Sequence, residues 1–214
     1  MAVPPSTMSS IAFAEGWLAE DDVLARARAR ADEFGCLPIR PGAGAALRLL
    51  AACCAARAVV ELGTGTGVSG LWLMRGGMAP GGVLTSVDVE AEHQRAAREA
   101  FAEAGIASGR YRLINGSARE VLPRLTERAY DMVFVDADKA GYPFYLEQAM
   151  RLLRPGGVVA FDKVLWAGRL ADHVARDAET TAVREVARAV REDERLIPAL
   201  IAAGDGLLAA VLRP

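Results

Sequence analysis

Histidine and cysteine are scarce in this 214-residue chain, with two histidines (His93, His173) and three cysteines (Cys36, Cys53, Cys54). None of them cluster at the spacing of a zinc site. An odd cysteine count with two adjacent thiols makes no disulfide framework and fits a reducing cytoplasm. Excess charge is missing too. The net charge is -2 and the isoelectric point 5.8, so the chain lacks the bulk basic bias of nucleic-acid binders and no nucleic-acid partner is expected. No apolar run reaches the roughly 18 residues of a membrane span, so no membrane partner is expected. The opening "MAVPPSTMSS" has no basic stretch followed by an apolar one, so no signal peptide is expected.

What is present is apolar material. Hydrophobic residues make up 52% of the chain and charged residues 24%, enough for a sizeable core and too apolar for disorder. Residues 1 to about 57 read as helical, with "SSIAFAEGWLAEDDVLARARARADEFG" as one Ser-capped helix stopped by Gly35 and "AGAALRLLAACCAARA" as a second, more buried one. From residue 58 short apolar runs alternate with helical stretches: "AVVEL" (58–62), "VLTSVD" (83–88), "YRLIN" (111–115), "DMVFVD" (131–136) and "GVVAFD" (157–162). This alternation predicts βαβ units and a parallel sheet covered on both faces. A further amphipathic helix, "TTAVREVARAVRED", precedes "LIPALI" and "GLLAAVL", which read as a closing antiparallel hairpin. The chain is expected to form one α/β domain over 1–214, with a helical extension (1–57) on a sheet core (58–214).

The turn after the first strand, "VVELGTGTGVSG", carries Gly63, Gly65 and Gly67, which allow a tight turn and close approach of a ligand to the backbone. Asp88 ends the second strand 21 residues after Gly67, where an acid can accept hydrogen bonds from a ribose diol. The spacing from Gly65 to Gly70 formally satisfies a dinucleotide fingerprint. Glu61 argues against it, because an acid two residues before the first glycine repels a pyrophosphate. A ligand with a positive centre and no phosphates fits better. S-adenosylmethionine (SAM) is such a ligand, with Glu61 drawing its amino-acid end and Asp88 holding its ribose.

Together "VELGTGTGVSGLWL", "VDVE", "DMVFVDADKAGYPFYLEQAMRLLRPGGVV" and the tail "GDGL" resemble the class I SAM-dependent O-methyltransferases. The resemblance is to the small bacterial branch related to catechol and caffeoyl-CoA enzymes. It implies a doubly wound, seven-stranded, mostly parallel Rossmann-like sheet whose last strand is antiparallel. It also implies a small hydroxylated acceptor, commonly a homodimer, and cofactor contacts from Glu61, Gly63, Gly65, Gly67, Ser69, Asp88, Asp136 and the "GSA" stretch Gly116, Ser117 and Ala118. By the same resemblance Asp136, first of "DADK", and Asp162 ligate a divalent cation of the Mg2+ type. Lys139 then stands near the acceptor hydroxyl as base or charge stabiliser.

The chain departs from that family in one place. The fifth strand normally ends in Asp-Asn, both cation ligands, and here it ends in Asp162-Lys163. An ammonium has only donors and cannot replace an amide oxygen. Three readings are open: Lys163 fills the gap between the carboxylates and joins Lys139 in the catalytic role, it swings to solvent and leaves a weakened cation site, or the site is degenerate. Separately, three functional readings are open: methyl transfer to a small, catechol-like hydroxyl; tRNA modification by the same superfamily; or SAM binding with little catalysis, in which Lys163 marks a retired metal site.

Other residues read as follows. Trp72 is core, His93 a solvated helix residue, and Cys53 and Cys54 apolar filler. Tyr142 and Tyr145 pack beside the Lys139 loop. Trp166 and His173 lie on loops that could approach an acceptor, and the arginines of 26–30 form a solvated face.

Overall fold

The computed structural model describes residues 5–214, with side chains from Ser10 onward. Residues 1–4 of the stretch on which the signal-peptide reading rests lie outside the described residues. Seven strands form one sheet: β1 Ala58–Leu62, β2 Val83–Asp88, β3 Tyr111–Asn115, β4 Tyr130–Val135, β5 Leu153–Phe161, β6 Leu196–Ile201 and β7 Leu207–Leu212. Their order is β3-β2-β1-β4-β5-β7-β6. β1 to β5 pair in parallel, and β7 runs antiparallel between β5 and β6. This is the doubly wound sheet with a reversed last strand that the sequence implied.

Period-two alternation divides the strands between two cores. Val59, Leu84, Met132, Phe134 and Ala160 face one way, against α2 (Asp22–Glu33), α3 (Pro41–Cys53), α4 (Val68–Met74) and α5 (Ala91–Glu103). Val60, Val87, Val133, Val159 and Phe161 face the other, against α7 (Tyr142–Leu152) and α8 (Ala178–Glu192). In α8 the buried Val183, Val186 and Val190 recur at helical spacing.

The N-terminal helices depart from the sequence reading in one respect. The single helix expected over 9–35 is two helices, α1 (Pro5–Gly16) and α2, and α1 starts upstream of the presumed Ser cap. The break has a local cause: the Asp21 carboxylate accepts from the Leu24 amide at 3.1 Å and starts α2 as its N-cap. The helix expected over "AREVLPRLTE" shrinks to the single turn α6 (Ala118–Val121) and a 3-10 turn at Pro123. Proline removes the backbone donor that a longer helix would need there. Among the described residues no helix is long and apolar enough to cross a membrane.

Candidate active site

The chain order reverses between β1 and β4, and the crevice beyond the strand ends at such a point is the usual ligand site of an open α/β sheet. A cavity of about 310 Å³ lies there. Its walls come from the glycine turn, the end of β2, Gly116, Ser117 and Ala118 after β3, and Asp136 to Asp138 after β4. Gly63 must be glycine: its φ is +89°, and a Cβ would lie on the Asp136 carbonyl oxygen. Gly67 caps α4 at φ +88°, packed against Phe101 and Ala97. Gly65 leaves open space on its cavity side.

Asp88 fastens this turn. Its Oδ2 accepts from the Thr64 and Gly65 amides at 2.9 and 3.0 Å, and its Oδ1 from the Glu90 amide at 2.9 Å. His93 is not the solvated residue the sequence suggested. It lines the cavity, with Nδ1 3.4 Å from Asp88 Oδ2 and Nε2 3.1 Å from Cys36 Sγ. Cys36, Leu37, Pro38 and Ile39, between α2 and α3, close the same cavity. Sequence reasoning missed them because nothing local links that loop to β2.

Glu61 also differs from expectation. It shares a strand face with Val59 and points toward α4, fully buried behind the cavity wall. Its carboxylate accepts from the Ser69 hydroxyl at 2.6 Å and the Ser86 hydroxyl at 2.5 Å. Ser69, which lines the cavity, thus stands between it and Glu61. Burial pushes the Glu61 pKa up from 4.5 to about 7 despite the two hydroxyls, with Asp136 and Asp88 adding repulsion.

A folded-state pKa above the unfolded value means that the fold is favoured by the protonated acid, and this contribution is lost as pH rises from 4.5 through about 7. The loss is about 3 kcal/mol at 1.36 kcal/mol per unit. In urea unfolding of the ligand-free protein at pH 5 and pH 8, Glu61→Gln is expected to remove most of this fall. Equal falls in the variant and wild type would show that the acid does not titrate there.

A second cluster adjoins the cavity through Asp136. β4 and β5 are neighbours ending in register at Val135 and Phe161, so Asp136 and Asp162 emerge side by side. Lys163 Nζ sits 2.6 and 2.5 Å from the two Asp136 oxygens and 3.1 Å from Asp162 Oδ2. Burial alone would lower the Lys163 pKa, but the two carboxylates outweigh it and hold it above the ordinary lysine value. The Lys163 ammonium is thus turned toward these two carboxylates, beside the Lys139 with which it was expected to share a catalytic role.

Lys139, 5% exposed, donates to the Tyr142 hydroxyl and, at 3.2 Å, to the Asp162 carbonyl. It lies 3.8 Å from Asp136 Oδ1. Burial lowers its pKa to about 8 against the pull of Asp136. Its Nζ is 4.4 Å from the Tyr142 ring centre and 5.5 Å from that of Trp166. The Trp166 loop is held by the tail: Leu165 N donates to the Asp205 carbonyl at 2.8 Å, and Ala167 N to the Asp205 carboxylate at 2.9 and 3.0 Å. That gives "GDGL" a structural task.

The remaining expectations divide. Tyr142, Tyr145 and Trp72 are buried, though Tyr145 also reaches the cavity and donates to Asp138. His173 is exposed. Cys54 is half-buried and packs against the core as apolar filler, whereas Cys53 is exposed and does not. The arginines of 26–30 are ion-paired: Arg26 and Arg30 with Glu103, Arg28 with Glu20.

Residues 21–213 match the model of a protein family described as O-methyltransferase. The chain belongs to the O-methyltransferase family. A Mycobacterium tuberculosis protein named as a probable O-methyltransferase is 54% identical over 208 residues, 97% of this chain and 92% of that one. Among solved structures, the O-methyltransferase TomG of Streptomyces achromogenes, in complex with SAM, superposes with a TM-score of 0.85 at 30% identity, covering 97% of this chain and 96% of that one. The O-methyltransferase of Bacillus cereus, in complex with SAH, gives 0.83 at 26%, covering 94% and 95%.

In this O-methyltransferase the residues do not fit the divalent cation that the resemblance implied at Asp136 and Asp162. A hard cation of the Mg2+ type takes about six oxygens. Asp162 Oδ1 is one buried oxygen without a partner, but the side chains that complete the cluster are two lysines, which bring donors and positive charge. Among the described residues no group of three or more His, Cys, Asp or Glu side chains is placed to hold a metal.

Proposed function

We propose that this SAM-dependent O-methyltransferase acts on the hydroxyl oxygen of a small aromatic acceptor. The observation that carries this reading is an acidic cofactor cavity joined through Asp136 to a buried lysine beneath an aromatic ring. Asp88, Glu90, Asp136 and Asp138 line the cavity, and no lysine or arginine among the described residues does. Such walls favour a sulfonium and an ammonium and repel a pyrophosphate. SAM would place its adenine by Gly116, Ser117 and Ala118, its ribose on Asp88, and its methionine by Gly63, Gly65, Gly67 and Ser69.

The acceptor would stack against Trp166 with its hydroxyl toward Lys139. The oxygen lone pair forms the new bond to the methyl carbon as the carbon–sulfur bond breaks, its electrons passing to sulfur, and the hydroxyl proton goes to the neutral Lys139 amine. Alignment of oxygen, carbon and sulfur supplies much of the rate. The chain acts as one domain, since α2 and α3 share a core with the sheet, and three free thiols accord with a cytoplasmic location. Exposed Phe13 on α1 and Trp17 just after it (71% and 70%) offer a homodimer face.

The test is transfer of a labelled methyl group from SAM to a panel of small phenols, catechols, aliphatic alcohols and bulk tRNA. The expected products are aryl methyl ethers, formed one for one with SAH. Labelling confined to tRNA or to aliphatic alcohols would overturn the aromatic acceptor. Light scattering on the same preparation is expected to give twice the 22.7 kDa chain mass, and a single chain mass would refute the dimer.

A further inference from the structure

We infer that Lys163 is a built-in cation occupying the place between Asp136 and Asp162, so that the enzyme works without a divalent ion and accepts a lone hydroxyl rather than requiring a vicinal pair. The acceptor class rests on the proposed function; the role of Lys163 does not. Asp136 and Asp162 end adjacent parallel strands and are largely buried, with side chains 15% and 2% exposed. Two such carboxylates repel unless a cation lies between them. Lys163 supplies it, with its ammonium nitrogen 2.5 and 2.6 Å from the two Asp136 oxygens and 3.1 Å from Asp162 Oδ2.

The backbone is shaped for this. Lys163 has φ +56°, a left-handed conformation unusual for a residue with a side chain. Its neighbours are pinned on both sides, Asp162 N to the Val135 carbonyl and Val164 N to the Gly206 carbonyl, each at 2.9 Å. The turn folds the lysine back over the strand ends instead of releasing it to solvent. Lys163 already sets a positive charge in the space between the two carboxylates, so a dication would have to expel its ammonium from a buried site.

A bound cation can chelate two neighbouring oxygens of a substrate. An ammonium held between two carboxylates has no open coordination positions with which to chelate. The polar handle left near the acceptor is Lys139, which serves one oxygen. A second, adjacent hydroxyl therefore gains nothing.

Manganese titrated into the wild-type SAH complex, followed by calorimetry and electron paramagnetic resonance, is the deciding experiment. No saturable binding up to about millimolar metal is expected, while Lys163→Asn, which restores an amide oxygen, is expected to bind one ion at least about tenfold tighter. One tightly bound ion in the wild type would overturn the inference, whether or not the variant folds. In the activity arm, wild-type turnover is expected to be unchanged by EDTA, with kcat/KM for a catechol and its matched monophenol within about threefold. Loss of turnover in EDTA, or a catechol preference above about thirtyfold, would also overturn it. No transfer to either acceptor would instead remove the proposed function and the acceptor class, and the manganese titration would still decide the role of Lys163.

Discussion

Lys139→Met is expected to lower kcat by about 10²–10⁴-fold while leaving the Kd for SAM within about threefold, because in the proposed mechanism the side chain takes a proton, and it does not line the cofactor cavity. Methionine preserves much of the buried volume without a charge. The wild-type rate should climb with pH and level off above about 8, since the amine must be neutral to accept the hydroxyl proton and burial has lowered its pKa to about that value. The variant should lose this rise. Lys139→Arg, which stays charged, should not restore it. Contacts with Tyr142 and the Asp162 carbonyl hold the amine beside the strand ends, 3.8 Å from Asp136 Oδ1 at the cavity wall. If kcat and its pH profile survive the substitution, the base role fails. A change confined to KM would leave Lys139 as a packing residue.

Asp88→Ala should weaken SAM binding at least about a hundredfold, equivalent to about 2.7 kcal/mol. The carboxylate accepts three backbone hydrogen bonds, from Thr64, Gly65 and Glu90, and so joins the glycine turn to the end of β2 and the start of α5. Hydrogen bonds to a charged group contribute about 1.5–3 kcal/mol each, and three on one group are not additive. Their loss frees the turn before any contact with a ribose is counted. Asp88→Asn keeps one acceptor oxygen and should fall about tenfold short of wild type. Calorimetry with SAM or SAH measures both. An unchanged Kd in the alanine variant would show that the turn supports itself and that the acid is idle.

Much of this was legible before any coordinates. The strands β1, β2, β3, β6 and β7 lie where short apolar runs predicted them. Period-two burial and the turns between runs are local signals that survive without knowledge of partners. Gly63 and Gly67 were legible for the same reason, since a left-handed φ is a property of one residue. The break between α1 and α2 was legible in principle as well: Asp21 stands before "DVLARARARA" as an N-cap, but the continuous charge pattern masked it.

What stayed hidden depended on distance in the chain. The pairing of Cys36 with His93 spans 57 residues, and the hold of Asp205 on the Trp166 loop spans 38. Glu61 was recognised as an acid near the cofactor, but whether it faces the cavity or the helix behind it is decided by the packing of α4 on the sheet.

The sequence by itself determined the sheet, the glycine turn, the acidic residue after β2, and the presence of a lysine where the family has asparagine. Only the tertiary structure decided where that lysine lies, between Asp136 and Asp162. Its place depends on the register that sets β4 beside β5, on the left-handed turn pinned by β7, and on the burial that makes two adjacent carboxylates intolerable without a cation between them. A charge is a property of a residue, whereas the cost of leaving it unpaired belongs to its surroundings.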